Sequence, residues 1–140
     1  MKSSIQHCHI ETPYLQNHQL VAIEISTQTE TTAIGAVYHS PNLPLQTDDL
    51  DAMYNISNNF IYAGDMNTKH TSWNSRIDCT RGKTLARHAN ANKYNIIALQ
   101  EQTLYPRSLE HRSDVLDIVL KTKAYVNNFE TLVELKSDHD

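Results

Sequence analysis

Three short stretches hold the residues best suited to chemistry. Gly64-Asp65-Met66-Asn67 follows an apolar run, Asp117 interrupts the apolar segment VLDIVL, and Ser137-Asp138-His139 closes a final mixed stretch. Along an extended segment, residues two apart point to one side, so Asp65 and Asn67 are expected to face a common site. Asp117 stands where an unpaired charge is costly, which calls for a metal, a histidine or a donor network beside it. Carboxylates, an amide and a histidine gathered at strand ends suit a hard divalent cation and hydrolysis. Each feature also has a plain structural explanation. Gly-Asp after a strand is commonly a turn, an in-strand aspartate can face an edge, and a terminal Asp-His-Asp is ordinarily a solvated tail.

The hydrophobic pattern supplies elements to position these groups. Residues 20–25 (LVAIEI) and 33–38 (AIGAVY) read as strands of a hairpin across the polar stretch 26–32. Pro41 and Pro44 make 39–46 a loop. Thr47 or Asp48 is the expected cap of a short helix carrying Asp49, Leu50, Met53 and Tyr54. Residues 59–63 (NFIYA) form a third strand ending at Gly64, and a long polar stretch runs from there to Arg81. Leu85, Ala89 and Lys93, four apart, predict a helix over 80–94. Short strands follow at 96–99, 115–120 and 129–135. Strands mixed with helices define an α/β or α+β layer structure. No GxGxxG or GxxxxGK[ST] is present, so dinucleotide and P-loop readings have no support.

Composition narrows the function classes. The 140 residues suffice for one domain, and 39% hydrophobic against 20% charged residues is no disordered profile. No apolar run approaches the roughly 20 residues of a membrane span, and the first twenty residues lack a secretory stretch. The expectation is a soluble intracellular domain, or a piece of a larger one, without a membrane partner. A net charge of −4 disfavours nucleic-acid binding by phosphate neutralisation alone, although bound ions can supply positive charge. Cys8 and Cys79 lie far apart without metal-type spacing, and reduced thiols suit an intracellular setting. His7, Cys8 and His9 would need further ligands from elsewhere to hold a metal and are read as incidental.

Taken in order, the motifs resemble the endonucleases encoded by non-LTR retrotransposons, particularly jockey-like elements, within the endonuclease/exonuclease/phosphatase superfamily. GDMNTKHTSWNSR at 64–76 resembles the block containing GDxN, and AVYHSPN at 36–42 the strand-and-tyrosine segment. RGKTL at 81–85 resembles the opening of the following helix, and Thr103, Tyr105 and Pro106 a TYxP-like loop. SDVLDIVL resembles the aspartate-bearing strand, and Ser137-Asp138-His139 the closing SDH motif. The likeness runs over about 13–140 and makes 1–140 a single partial domain of the superfamily's four-layer sandwich, with mixed sheets flanked by helices.

The resemblance implies roles. Asp65 orients and deprotonates the attacking water, and Asn67 helps hold that water and the phosphate. Tyr38 donates to a phosphate oxygen or assists the leaving group. Asp117 fixes the tautomer and charge of His139, which stabilises charge on the phosphorus-bound oxygens. Asp138 lies beside a divalent ion, Mg2+ or Mn2+. The implied substrate is DNA, nicked at one phosphodiester bond to leave a 3′-hydroxyl that primes reverse transcription. The implied partner is a reverse transcriptase region of the same polyprotein, and the place of action is the nucleus. The family's early asparagine and metal-binding glutamate have no counterpart in this sequence, so a weakly active or inactive fragment is expected. The alternatives are a relic or binding module that keeps the fold, or another phosphohydrolase of the superfamily.

Overall fold

The computed structural model describes residues 6–73, 75–98 and 117–122. Within them a six-stranded mixed sheet carries two helices. Strands β1 (Gln6–His9), β2 (His18–Ser26) and β3 (Thr31–His39) pair antiparallel in turn. Helix α1 (Thr47–Tyr54) then carries the chain across to β4 (Phe60–Asp65), parallel to β3. Helix α2 (Thr80–Asn92) leads to β5 (Asn95–Ala98), and β6 (Asp117–Lys121) inserts between β4 and β5, antiparallel to both. The sheet order is β1-β2-β3-β4-β6-β5. The expected strand 129–135 and the TYxP-like loop lie outside the described residues.

Alternation decides what each face buries. Leu20, Ala22, Ala33, Val37, Phe60, Tyr62, Ile118 and Leu120 form one face, closed by Leu50 and Met53 of α1 and Leu85 and Ala89 of α2. Phe60 stacks on Tyr62 with ring centroids 4.6 Å apart. The Tyr62 hydroxyl donates to the Met53 carbonyl at 3.1 Å, which satisfies the one polar atom this ring brings into the core. The opposite face carries Val21, Ile34, Ala36, Tyr38 and Ala63, all exposed.

The helix ends depart from the expected chemistry. The residue before α1 is Gln46, whose side chain makes no capping bond, so neither Thr47 nor Asp48 caps it. Asp49, three residues in, is buried and accepts instead from the backbone N–H groups of Gln16 and Asn17 at 2.7 and 2.8 Å. The Cys79 thiol caps α2, its Sγ accepting from Gly82 N–H at 3.3 Å and Lys69 N–H at 3.2 Å. Opposite the cap, His88 joins the helices: Nε2 meets Asp51 Oδ1 at 2.7 Å and Nδ1 meets the Tyr94 hydroxyl at 2.8 Å.

Candidate functional site

The ends of three neighbouring strands meet in one row. Tyr38 in β3 is the register partner of Asp65 in β4, and Asp65 is the partner of Asp117 in β6. Directly paired residues project to the same face, so all three side chains stand side by side on the face away from the helices. At about 4.8 Å per strand, the row is about 10 Å wide from Tyr38 to Asp117. Tyr38 is 43% exposed, whereas Asp65 and Asp117 are half-buried.

Gly64 makes this alignment possible. Its φ is +153°, and a Cβ there would lie 1.9 Å from the Val37 carbonyl oxygen, so no other residue lets β3 and β4 run so close at this point. Asp65 follows at the strand end.

Asn67 reaches the site by a different route from the one its spacing predicts. Its φ of +48° is left-handed, so the segment is a turn and not an extended run. The turn brings the two residues together: Asn67 N–H donates to Asp65 Oδ1 at 2.9 Å, as aspartate side chains commonly do two residues on. The Asn67 side-chain Nδ2 donates to the His39 carbonyl at 2.6 Å, tying the turn to the end of β3.

The following loop is anchored from below. Trp73, in a 3-10 turn (Thr71–Trp73), is 1% exposed and donates from Nε1 to the Thr68 carbonyl at 3.2 Å. Trp73 belongs to the core cluster that includes Leu85 and Ala89, in keeping with a structural anchor and leaving no face open for a stacked base. His70 stacks over it at 4.9 Å between centroids. Arg81 donates to the Pro41 and Leu43 carbonyls, so the first turn of α2 holds the loop that leaves Tyr38.

Three residues that sequence reasoning passed over stand directly behind this row. His18 and His39 are register partners across β2 and β3, both buried, with ring centroids 4.5 Å apart. His18 Nδ1 donates to Asp49 Oδ2 at 3.0 Å, and His39 Nε2 donates to the Pro44 carbonyl at 3.2 Å. Burial lowers both imidazoles below the ordinary histidine value and keeps them neutral. Burial pushes the Asp49 carboxyl up, but hydrogen bonds from His18, Asn17 and Gln16 outweigh it and hold Asp49 below the usual carboxylate range. Register counting across the hairpin would have found the histidine pair, since both stand at the far ends of the two strands.

Of the six predicted site residues, Tyr38, Asp65, Asn67 and Asp117 are brought together, while Asp138 and His139 lie outside the described residues. Among the described residues no three His, Cys, Asp or Glu side chains gather to hold a metal. Asp65 and Asp117 nevertheless present an oxygen donor set of the kind magnesium accepts, since that ion is commonly held by one or two carboxylates with substrate phosphate and water completing the octahedron.

The fold is one already seen in a solved domain of another protein. The chain matches the solved "Endonuclease domain of TRAS1, a telomere-specific non-LTR retrotransposon" with a TM-score of 0.72 over 87% of this chain and 57% of that one, at 19% identity. A family model described as "Endonuclease-reverse transcriptase" matches residues 32–140, and the chain belongs to that family. The RNA-directed DNA polymerases from mobile element jockey of Drosophila melanogaster and Drosophila funebris are each 29% identical to it over 99% of its length. A probable RNA-directed DNA polymerase from transposon BS of Drosophila melanogaster is 24% identical over 79%. The chain spans 16% of the length of the jockey relatives.

Proposed function

We propose that this chain is part of a metal-dependent DNA endonuclease that hydrolyses one phosphodiester bond of a target strand, beside a reverse transcriptase region of the same polyprotein. The observation that carries the reading is the row of Tyr38, Asp65 and Asp117 at adjoining strand ends, with Asn67 folded back onto Asp65. In it, Asp65 takes the proton of the attacking water, Asn67 and Tyr38 hold phosphate oxygens, and Asp117 with His139 supports the charge that develops there. Asp65, Asp117 and Asp138 would hold Mg2+ or Mn2+, which would supply Lewis-acid polarisation of the phosphate. A chromosomal DNA substrate would make the nucleus the place of action.

The negative net charge makes the bound ion the main attraction for phosphate. The test is nicking of supercoiled plasmid by the chain and by a longer polypeptide spanning the whole solved-domain length. Magnesium-dependent nicking by the longer form, lost in Asp65→Ala, is expected. Nicking that persists in Asp65→Ala, or a longer form inert with both Mg2+ and Mn2+, would reject the reading.

A further inference from the structure

The buried assembly behind the row touches the site turn at two successive residues. The His39 carbonyl accepts from the Asn67 side chain at 2.6 Å, and the Met66 carbonyl faces the His39 ring. His39 therefore meets both residues that follow Asp65. Its ring is held on the other side by His18, whose own orientation is set by Asp49 on α1. Asp49 is in turn fixed by the Gln16 and Asn17 backbone at the entrance to β2.

We infer that His39, braced by His18 and Asp49, is a positioning residue that sets the Asp65-Met66-Asn67 turn, so that β2 and α1 control a side chain they do not touch. The functional consequence rests on the nuclease reading; the coupling to Asn67 does not.

Three observations argue for more than ordinary packing. The left-handed backbone of Asn67 is an uncommon conformation that its surroundings must hold, and the bonds that hold it run to Asp65 and His39. Both imidazoles have one nitrogen fixed by an acceptor, and His18 Nε2 is left buried without a hydrogen-bond partner. Such nitrogens are costly to bury, and apolar rings would fill the same space without that cost. The pair is also responsive to charge. Around His39 stand His18 from β2, Asp49 from α1 and Arg81 from α2. Protonating both rings would set two cations 4.5 Å apart beside Arg81, with Asp49 the carboxylate against them.

The experiment reads Asn67 directly. In the 15N-labelled 140-residue chain, exchange of the Asn67 side-chain amide protons is measured by NMR in the wild type, His39→Ala, His39→Gln and His18→Phe. The expected result is faster exchange, by about tenfold or more, in His39→Ala and His18→Phe, with melting still cooperative. His39→Gln, whose amide can still donate to Pro44, should restore protection. Exchange at the wild-type rate in His18→Phe, or in a folded His39→Ala, would overturn the inference; should His39→Ala fail to fold, His18→Phe decides. In the longer nicking polypeptide, His39→Ala should lower kcat by about 100-fold with KM unchanged, since small misplacements cost that much, and His39→Gln should recover it. Coupled exchange with no nicking in any sample would reject the nuclease reading and leave the positioning role. Normal exchange with normal nicking would do the reverse.

Discussion

Asp65 and Asp117 are direct cross-strand partners in the antiparallel β4–β6 pair, so the design places two carboxylates opposite one another on one face. Like charges directly opposite one another disfavour strand pairing. A divalent cation held between them would turn that opposition into attraction. Millimolar Mg2+ is therefore expected to raise the melting temperature of the wild-type chain by a few degrees, and to do so much less in Asp117→Asn. Equal metal-induced shifts in the two proteins, read by circular dichroism, would place the ion elsewhere.

Gly64 should tolerate no side chain. Alanine there would set its Cβ 1.9 Å from the Val37 backbone oxygen, a contact no rotamer relieves, at a φ of +153° that L residues avoid. Gly64→Ala is expected to cost about 3 kcal/mol or more, measured as a lowered urea midpoint. The β3–β4 separation would have to widen, and Tyr38 and Asp65 would part with it.

Removing Trp73 should be felt as lost core. The ring is 1% exposed among Leu85, Ala89 and Met66, so Trp73→Ala leaves a large cavity under the site loop. A loss of about 3–5 kcal/mol is expected. Unchanged melting together with weaker DNA binding would instead point to base stacking.

Stability should fall as the solution is acidified from pH 7.5 to 5. Burial lowers the folded-state values of His18 and His39 from 6.5, so the unfolded chain takes up protons there that the folded chain refuses. Asp49 acts in a different window. Its lowered value contributes stability that is present above its unfolded 3.8 and lost only as pH falls below that. Urea titrations at the two pH values measure the loss, and His39→Gln should reduce it. A midpoint that is flat over this range would show that the imidazoles are not held neutral by the fold.

Much of this arrangement was legible in residue order. The strands around 20–25, 33–38 and 59–63 and the helix from Thr80 stand where apolar periodicity puts them, because each buries one stripe. β1 escaped, since QHCH has no apolar alternation and is held by its ladder to β2. Cys79 escaped as a cap because a thiol is an unusual acceptor, and here Gly82 and Lys69 both supply N–H groups to it. Asp65 and Asn67 were correctly read as neighbours for an incorrect reason. Spacing of two suggests an extended strand, whereas a side-chain hydrogen bond and a positive φ made a turn. Asp49 was legible only as a residue of the short helix, and only tertiary structure could show it buried against His18.

The position of β6 has a consequence for how the protein is made. It is the last described strand in the chain, yet it lies between β4 and β5, and its pairing joins Ile61 to Lys121 and Asp65 to Asp117. During synthesis β1 to β4 can pair as they emerge, but β5 has no neighbour in this sheet until β6 leaves the ribosome. Closing so long a loop is slow, because chain entropy must be lost before the contacts reward it. The two carboxylates thus meet only in a late step of assembly, after most of the sheet has already paired.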